Sequence, residues 1–179
     1  MTFIDLNTAN KATITPLFLE TFSQSEGPDE GKLIAELVDN FLKHTPKDDL
    51  RGYFLEKNSK LIAGAFFTRF WFEENSTTAF LMAPVAVKTS FHGQGLGQKL
   101  IHTAHEALRK EGVQLCLSYG DINFYRKVGY EVISESLIAA PQTLSYPEGW
   151  IAHSLEGKAI PQIKAKTYCV PQLMDVRYW

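Results

Sequence analysis

Apolar residues recur along this chain first at helical spacing, then in long strand-like runs, then at helical spacing again. Leu33, Ile34, Leu37, Val38, Phe41 and Leu42 fall three and four apart, which predicts a helix ended by Thr45-Pro46. Ahead of it, Phe3-Ile4-Asp5-Leu6 suits a short edge strand. Ala9 to Phe22 reads as a helix whose start Pro16 can set, and the polar stretch Ser23 to Gly31 reads as a loop. Gly52 to Glu56, Leu61 to Phe72 and Thr77 to Val87 predict an antiparallel meander, turned at Asn58-Ser59 and at Glu73 to Ser76. Residues 95–112 hold the clearest helix. Leu96, Leu100, Ile101, Ala104, Ala107 and Leu108 lie within an arc of about 140°, and Gly112 suits its C-terminal cap. Val113 to Tyr119 reads as a buried strand, Gly120-Asp121 as the start of a short helix, and Gly129 to Ile138 as a strand. The tail, 139–179, carries Pro141, Pro147, Pro161 and Pro171 and predicts strands near Trp150–Leu155 and Lys164–Val170.

That order of elements is α+β, with a mixed, mostly antiparallel sheet flanked by helices and a strand–helix–strand unit in the second half. The length of 179 residues fits a single domain over 1–179, with 139–179 as a variable C-terminal tail. The 12 Phe, 7 Tyr and 3 Trp carry enough apolar area to exclude disorder throughout. The net charge of −2 comes from well-mixed residues with no basic stripe, which excludes a nucleic-acid binder. No run approaches the ~18 apolar residues of a membrane span, and Met1-Thr2-Phe3-Ile4-Asp5 lacks the basic and apolar regions of a secretory signal. Cys116 and Cys169 form no CxxC motif. A cytoplasmic location with both thiols reduced is the economical expectation.

Chemistry concentrates in Pro84-Val85-Ala86-Val87-Lys88-Thr89-Ser90-Phe91-His92-Gly93-Gln94-Gly95-Leu96-Gly97-Gln98. A strand ends, a loop turns, and a helix begins among three glycines. Such glycines let successive N–H groups converge, and a helix N-terminus favours an anion, so a phosphate or pyrophosphate is the natural ligand. The alternative is a tight turn with no ligand. Position 98 is Gln, so the G-x-G-x-x-G dinucleotide pattern fails, and no Gly-Lys-Ser/Thr follows for a P-loop.

This segment resembles the acetyl-CoA-binding motif of the GNAT N-acetyltransferase superfamily. Downstream, Tyr119-Gly120-Asp121-Ile122-Asn123-Phe124-Tyr125-Arg126-Lys127-Val128-Gly129-Tyr130 resembles the second signature of its Gly-Asp type. The resemblance is strong over 80–135, weaker before it, and implies the GNAT-like acyl-CoA N-acyltransferase fold. It implies that Val85, Ala86 and Val87 pair through their backbones with the pantetheine arm of acetyl-CoA, and that His92, Gly93, Gln94, Gly95, Leu96, Gly97 and Gln98 surround the pyrophosphate. His92 stands where the family usually has Gln or Arg, Ile122 replaces a usual Pro, and Ser118 replaces an Asn that contacts pantetheine in many relatives. Six basic and three acidic residues between Lys88 and Lys127 favour a phosphate-bearing co-substrate.

By the same resemblance Tyr125 is the general acid for the departing thiolate; its other role is packing against Tyr130. No general base is evident. Phe80-Leu81-Met82-Ala83 holds no carboxylate, Glu73 and Glu74 lie in a turn, and Asp121 suits a helix cap. His102 and His105 lie at about 240° and 180° from Leu96, outside the apolar arc, so both are expected in solvent and no metal is expected. Of Phe66, Phe67, Phe70, Trp71 and Phe72, most are expected in the core. The reading is an enzyme that moves an acetyl group from acetyl-CoA to a primary amine; a non-catalytic acyl-CoA-binding module is the alternative. Expected partners are a small-molecule or peptide amine acceptor, neither nucleic acid nor membrane, with a homodimer left open.

Overall fold

The computed structural model describes residues 1–179. Eight strands and four helices follow in chain order: β1 (Thr2–Asp5), α1 (Ile14–Ser25), α2 (Pro28–His44), β2 (Leu50–Lys57), β3 (Lys60–Phe72), β4 (Asn75–Val87), α3 (Leu96–Lys110), β5 (Leu115–Tyr119), α4 (Ile122–Tyr125), β6 (Glu131–Val132), β7 (Trp150–Ser154) and β8 (Thr167–Cys169). The sheet order is β1-β2-β3-β4-β5-β7-β6, and β8 pairs with the end of β3. β4 and β5 run parallel, whereas β1–β2, β5–β7, β6–β7 and β3–β8 are antiparallel. The expected α+β order and mixed sheet are therefore present. No helix is long and apolar enough to cross a membrane.

The chain packs as two compact units, Met1–Phe67 with Pro84–Ala104, and Thr68–Ala83 with His105–Trp179. In the first, Phe66 is the hub: its ring lies 5.5 Å from Phe18, 5.8 Å from Phe41 and 5.7 Å from Phe54. Asn58 and Ser59, with φ of 50° and 58°, make the left-handed two-residue turn that matches strand twist between β2 and β3. The expected loop from Ser23 to Gly31 shrinks to Glu26-Gly27, because α1 continues through Ser25 and α2 begins at Pro28. Pro28 supplies a preset φ and no surplus N–H, while Asp29 and Glu30 suit the positive end of the helix. Gly31 then sits inside α2, where a Cβ would come within 2.8 Å of the Ser23 nitrogen.

In the second unit, Phe70, Phe72 and Phe80 are buried while Trp71 is 38% exposed. The expected strand over Gly129–Ile138 is reduced to Glu131–Val132. After Ile133, whose N–H still donates to Trp150 O, the chain turns at Ser134. The N–H groups of Leu137 and Ile138 both donate to the Ser134 carbonyl. The tail contributes to this unit's core. Trp150 is fully buried with its indole N–H donating to Ile138 O at 2.9 Å, and Trp179 donates to Leu173 O at 2.7 Å. Trp179 also packs 6.0 Å from both Trp150 and Tyr119.

Candidate active site

The first unit carries the glycine turn. β4 alternates at its end: Val85 and Val87 are half-buried, while Ala86 is buried. Its pairing with β5 stops at Met82–Ser118, so β4 has no β5 partner from Ala83 onward. A single 3₁₀ turn, Thr89–Phe91, follows. It is tied to α1 by Lys88 Nζ to Glu20 Oε2 at 2.7 Å and by Thr89 Oγ1 donating to Gln24 Oε1 at 2.7 Å. The Lys57 ammonium stands over the Phe91 ring at 5.4 Å.

Gly93 and Gly95 then adopt left-handed φ of 74° and 70°. An added Cβ on either would meet nothing within 4 Å, so these glycines serve the backbone path and an open approach, not close packing. The first hydrogen bond of α3 is Lys99 N to Gly95 O at 3.0 Å. The N–H groups of Leu96, Gly97 and Gln98 therefore have no acceptor inside the helix. His92, Gly93, Gln94 and Gly95 are exposed, Leu96 and Gly97 buried, Gln98 half-buried. His92 closes the turn on itself: its Nε2 lies 2.7 Å from Val87 O, and since a carbonyl only accepts, Nε2 carries the hydrogen.

The second unit carries the stretch from Tyr119 to Tyr130. Asp121 caps α4 by accepting from Asn123 N at 2.9 Å, as the N-cap reading expects. Gly129 has φ of 92° and reverses the chain, with Val128 buried beneath it. Tyr125 is half-buried, 5.1 Å from the Phe124 ring and 5.7 Å from that of Tyr130, edge to face. Tyr119 is committed elsewhere, since its hydroxyl accepts from Tyr146 N at 2.6 Å and meets Ser145 Oγ at 3.1 Å. Ser118 is buried, and its hydroxyl donates to Met82 O at 2.8 Å, within the last residue pair of the β4–β5 ladder.

One expectation fails. His102 is exposed, but His105 is 5% exposed and meets Tyr130 and His153. At about 180° on the helical wheel, His105 lies only about 40° past the apolar arc, and long-range partners cover that flank. Tyr130 was visible in the sequence only as a packing partner for Tyr125, and nothing local linked it to His105. Glu73 and Glu74 are exposed, with Glu73 accepting from the Tyr168 hydroxyl at 2.8 Å. No group of three or more His, Cys, Asp or Glu side chains is placed to hold a metal ion. A surface hollow of about 520 Å³ lined by Glu73, Glu135, Lys164 and Lys166 contains none of the sequence-predicted site residues.

The chain is similar to known proteins in sequence and in fold. A family model for the acetyltransferase (GNAT) domain matches residues 48–132. YjhQ of Escherichia coli K12, named an uncharacterised N-acetyltransferase, is 30% identical over 99 residues, 54% of this chain and 55% of its own length. The match thus spans about half of that relative. Among solved structures, the GNAT family N-acetyltransferase YhbS of Escherichia coli, in complex with CoA, superposes with a TM-score of 0.73 at 19% identity, covering 86% of this chain and 81% of its own. A GNAT family acetyltransferase of Brucella melitensis in complex with acetyl-CoA gives 0.63 at 21% identity, covering 73% and 82%. Residues 48–132 thus resemble the acetyltransferase (GNAT) domain, and the chain has the fold of the solved GNAT structures.

Proposed function

We propose that this protein is an acetyl-CoA-dependent N-acetyltransferase acting on a primary amine, of the GNAT type with the Gly-Asp second signature. The observation that carries the reading is the open left-handed turn at Gly93 and Gly95 before α3, inside the stretch that matches the GNAT domain. Acetyl-CoA supplies the activated acyl thioester. The free N–H groups at the start of α3 hold its pyrophosphate, aided by the helix dipole, and the edge of Val85–Val87 left without a β5 partner receives the pantetheine arm as an added strand. Ser118 spends its hydrogen on Met82, so only its oxygen lone pairs remain as a contact for pantetheine.

Tyr125 donates its phenolic proton to sulfur as the C–S bond breaks and the C–N bond forms. The proton shed by the attacking amine returns to Tyr125 through water, so the products are an amide and a free thiol. With no carboxylate from Phe80 to Ala83, the amine reacts in its neutral form without a dedicated base. The test is thiol release from acetyl-CoA over a panel of small amines, amino acids and peptides. Turnover with at least one primary amine is expected. CoA binding without thiol release from any of them would make the protein a binding module instead.

His92 tests how the phosphates are held. Its ring clasps Val87 O, so the backbone, not the imidazole, faces the anion. His92→Ala is expected to weaken CoA binding about tenfold or less, near 1.4 kcal/mol, by calorimetry. A loss of several hundredfold would show that the side chain itself carries the phosphate.

A further inference from the structure

Behind Tyr125 lies a buried polar knot that the proposed chemistry leaves unused. Tyr130 is 2% exposed, and its hydroxyl sits 3.2 Å from His105 Nε2 and 3.7 Å from Met82 Sδ. The His105 ring packs 5.5 Å from Tyr130 and 4.9 Å from His153. Gly129 allows this packing, since a Cβ there would come within 2.6 Å of His153 Cε1. Burial holds the Tyr130 phenol well above its ordinary pKa, with the Cys116 thiol beside it adding to the rise, and burial likewise pushes the Cys116 thiol up. Both groups stay neutral. A buried hydroxyl and a buried imidazole are costly unless they bond to each other, as they do here.

The same Tyr130 ring forms one wall around Tyr125. The rings meet edge to face at 5.7 Å and 67°, and Tyr130 N donates to Tyr125 O at 3.2 Å. Gly120 stands close to the same ring: a Cβ there would lie 2.8 Å from Tyr125 Cε2. Met82, touched by the Tyr130 hydroxyl, is the last β4 residue paired with β5 and is held there by Ser118. Tyr130 is thus a strut from the end of that ladder to Tyr125, and His105 pins its hydroxyl.

We propose that Tyr130 and His105 are positioning residues that fix the ring of Tyr125, an inference that rests on Tyr125 being the acid. Misplacing a catalytic group by a fraction of an ångström slows the chemical step without altering ground-state binding. Tyr130→Phe keeps the ring and removes the pin. We expect kcat to fall about tenfold while KM for acetyl-CoA stays within about twofold. In a Tyr125→Phe background the same change is expected to cost less than about twofold, because there is no longer a hydroxyl to aim. His105→Leu carries the same expectation and stands in if Tyr130→Phe does not fold. His105→Gln, which keeps a polar partner for the hydroxyl, is expected to retain kcat within about threefold of the native protein. An unchanged kcat in Tyr130→Phe, or an equal loss in both backgrounds, would overturn the proposal. Failure of the underlying reading shows separately, as a Tyr125→Phe protein whose own kcat stays within about threefold.

Discussion

Replacing Gly95 by glutamate is expected to abolish CoA binding. Gly95 has φ of 70°, a conformation that costs an L residue about 1–2 kcal/mol, and its missing side chain borders open space. The substitution therefore disturbs no packed neighbour, and the fold should survive it. The new carboxylate stands beside the free N–H groups of Leu96, Gly97 and Gln98, where it occupies the anion site and repels phosphate. Gly95→Ala separates the two effects, because it brings the backbone strain without the charge. Calorimetric titration with CoA should show a modest weakening for alanine and no measurable binding for glutamate, with thermal unfolding confirming that both are folded. Glutamate with native affinity would remove the glycine turn from the site and take the acetyltransferase reading with it.

Tyr125→Phe is expected to lower kcat by about 10²-fold or more while leaving acetyl-CoA affinity nearly unchanged. The ring remains to pack on Phe124 and Tyr130 and against Gly120, so the lost hydroxyl is the only chemical difference. A phenol keeps its proton at neutral pH and can give it to a thiolate that forms only as the C–S bond breaks. Its contribution is therefore confined to the transition state and is read in kcat, not in a separately measured Kd. A fall of less than about threefold, ~0.65 kcal/mol of barrier, would return Tyr125 to a packing role. Tyr119 would be a poor successor, since its hydroxyl already accepts the Tyr146 N–H at 2.6 Å.

The parts of this protein written in local signals were readable from its sequence. The strand–turn–helix around Gly93 and Gly95 follows from glycine's access to positive φ, and α3 follows from an apolar stripe at helical spacing. The Asp121 cap, the Asn58-Ser59 turn and the order of elements were legible for the same reason: each is settled by residues a few positions apart. Contacts between distant positions were not. The polar stretch after Phe22 suggested a loop, but packing of α1 on α2 at Gly31 kept both helices intact. Only the folded sheet places Met82 O where the Ser118 hydroxyl donates to it, at the end of the β4–β5 ladder. Only the tail's return buries Trp150 and Trp179. His105 is the clearest case. A helical wheel places it outside the apolar arc, and its burial depends on Tyr130 and His153, which reach it from 25 and more residues away. Periodicity fixes which face of a helix is apolar, whereas the width of the buried strip is set by whatever the rest of the chain lays against it.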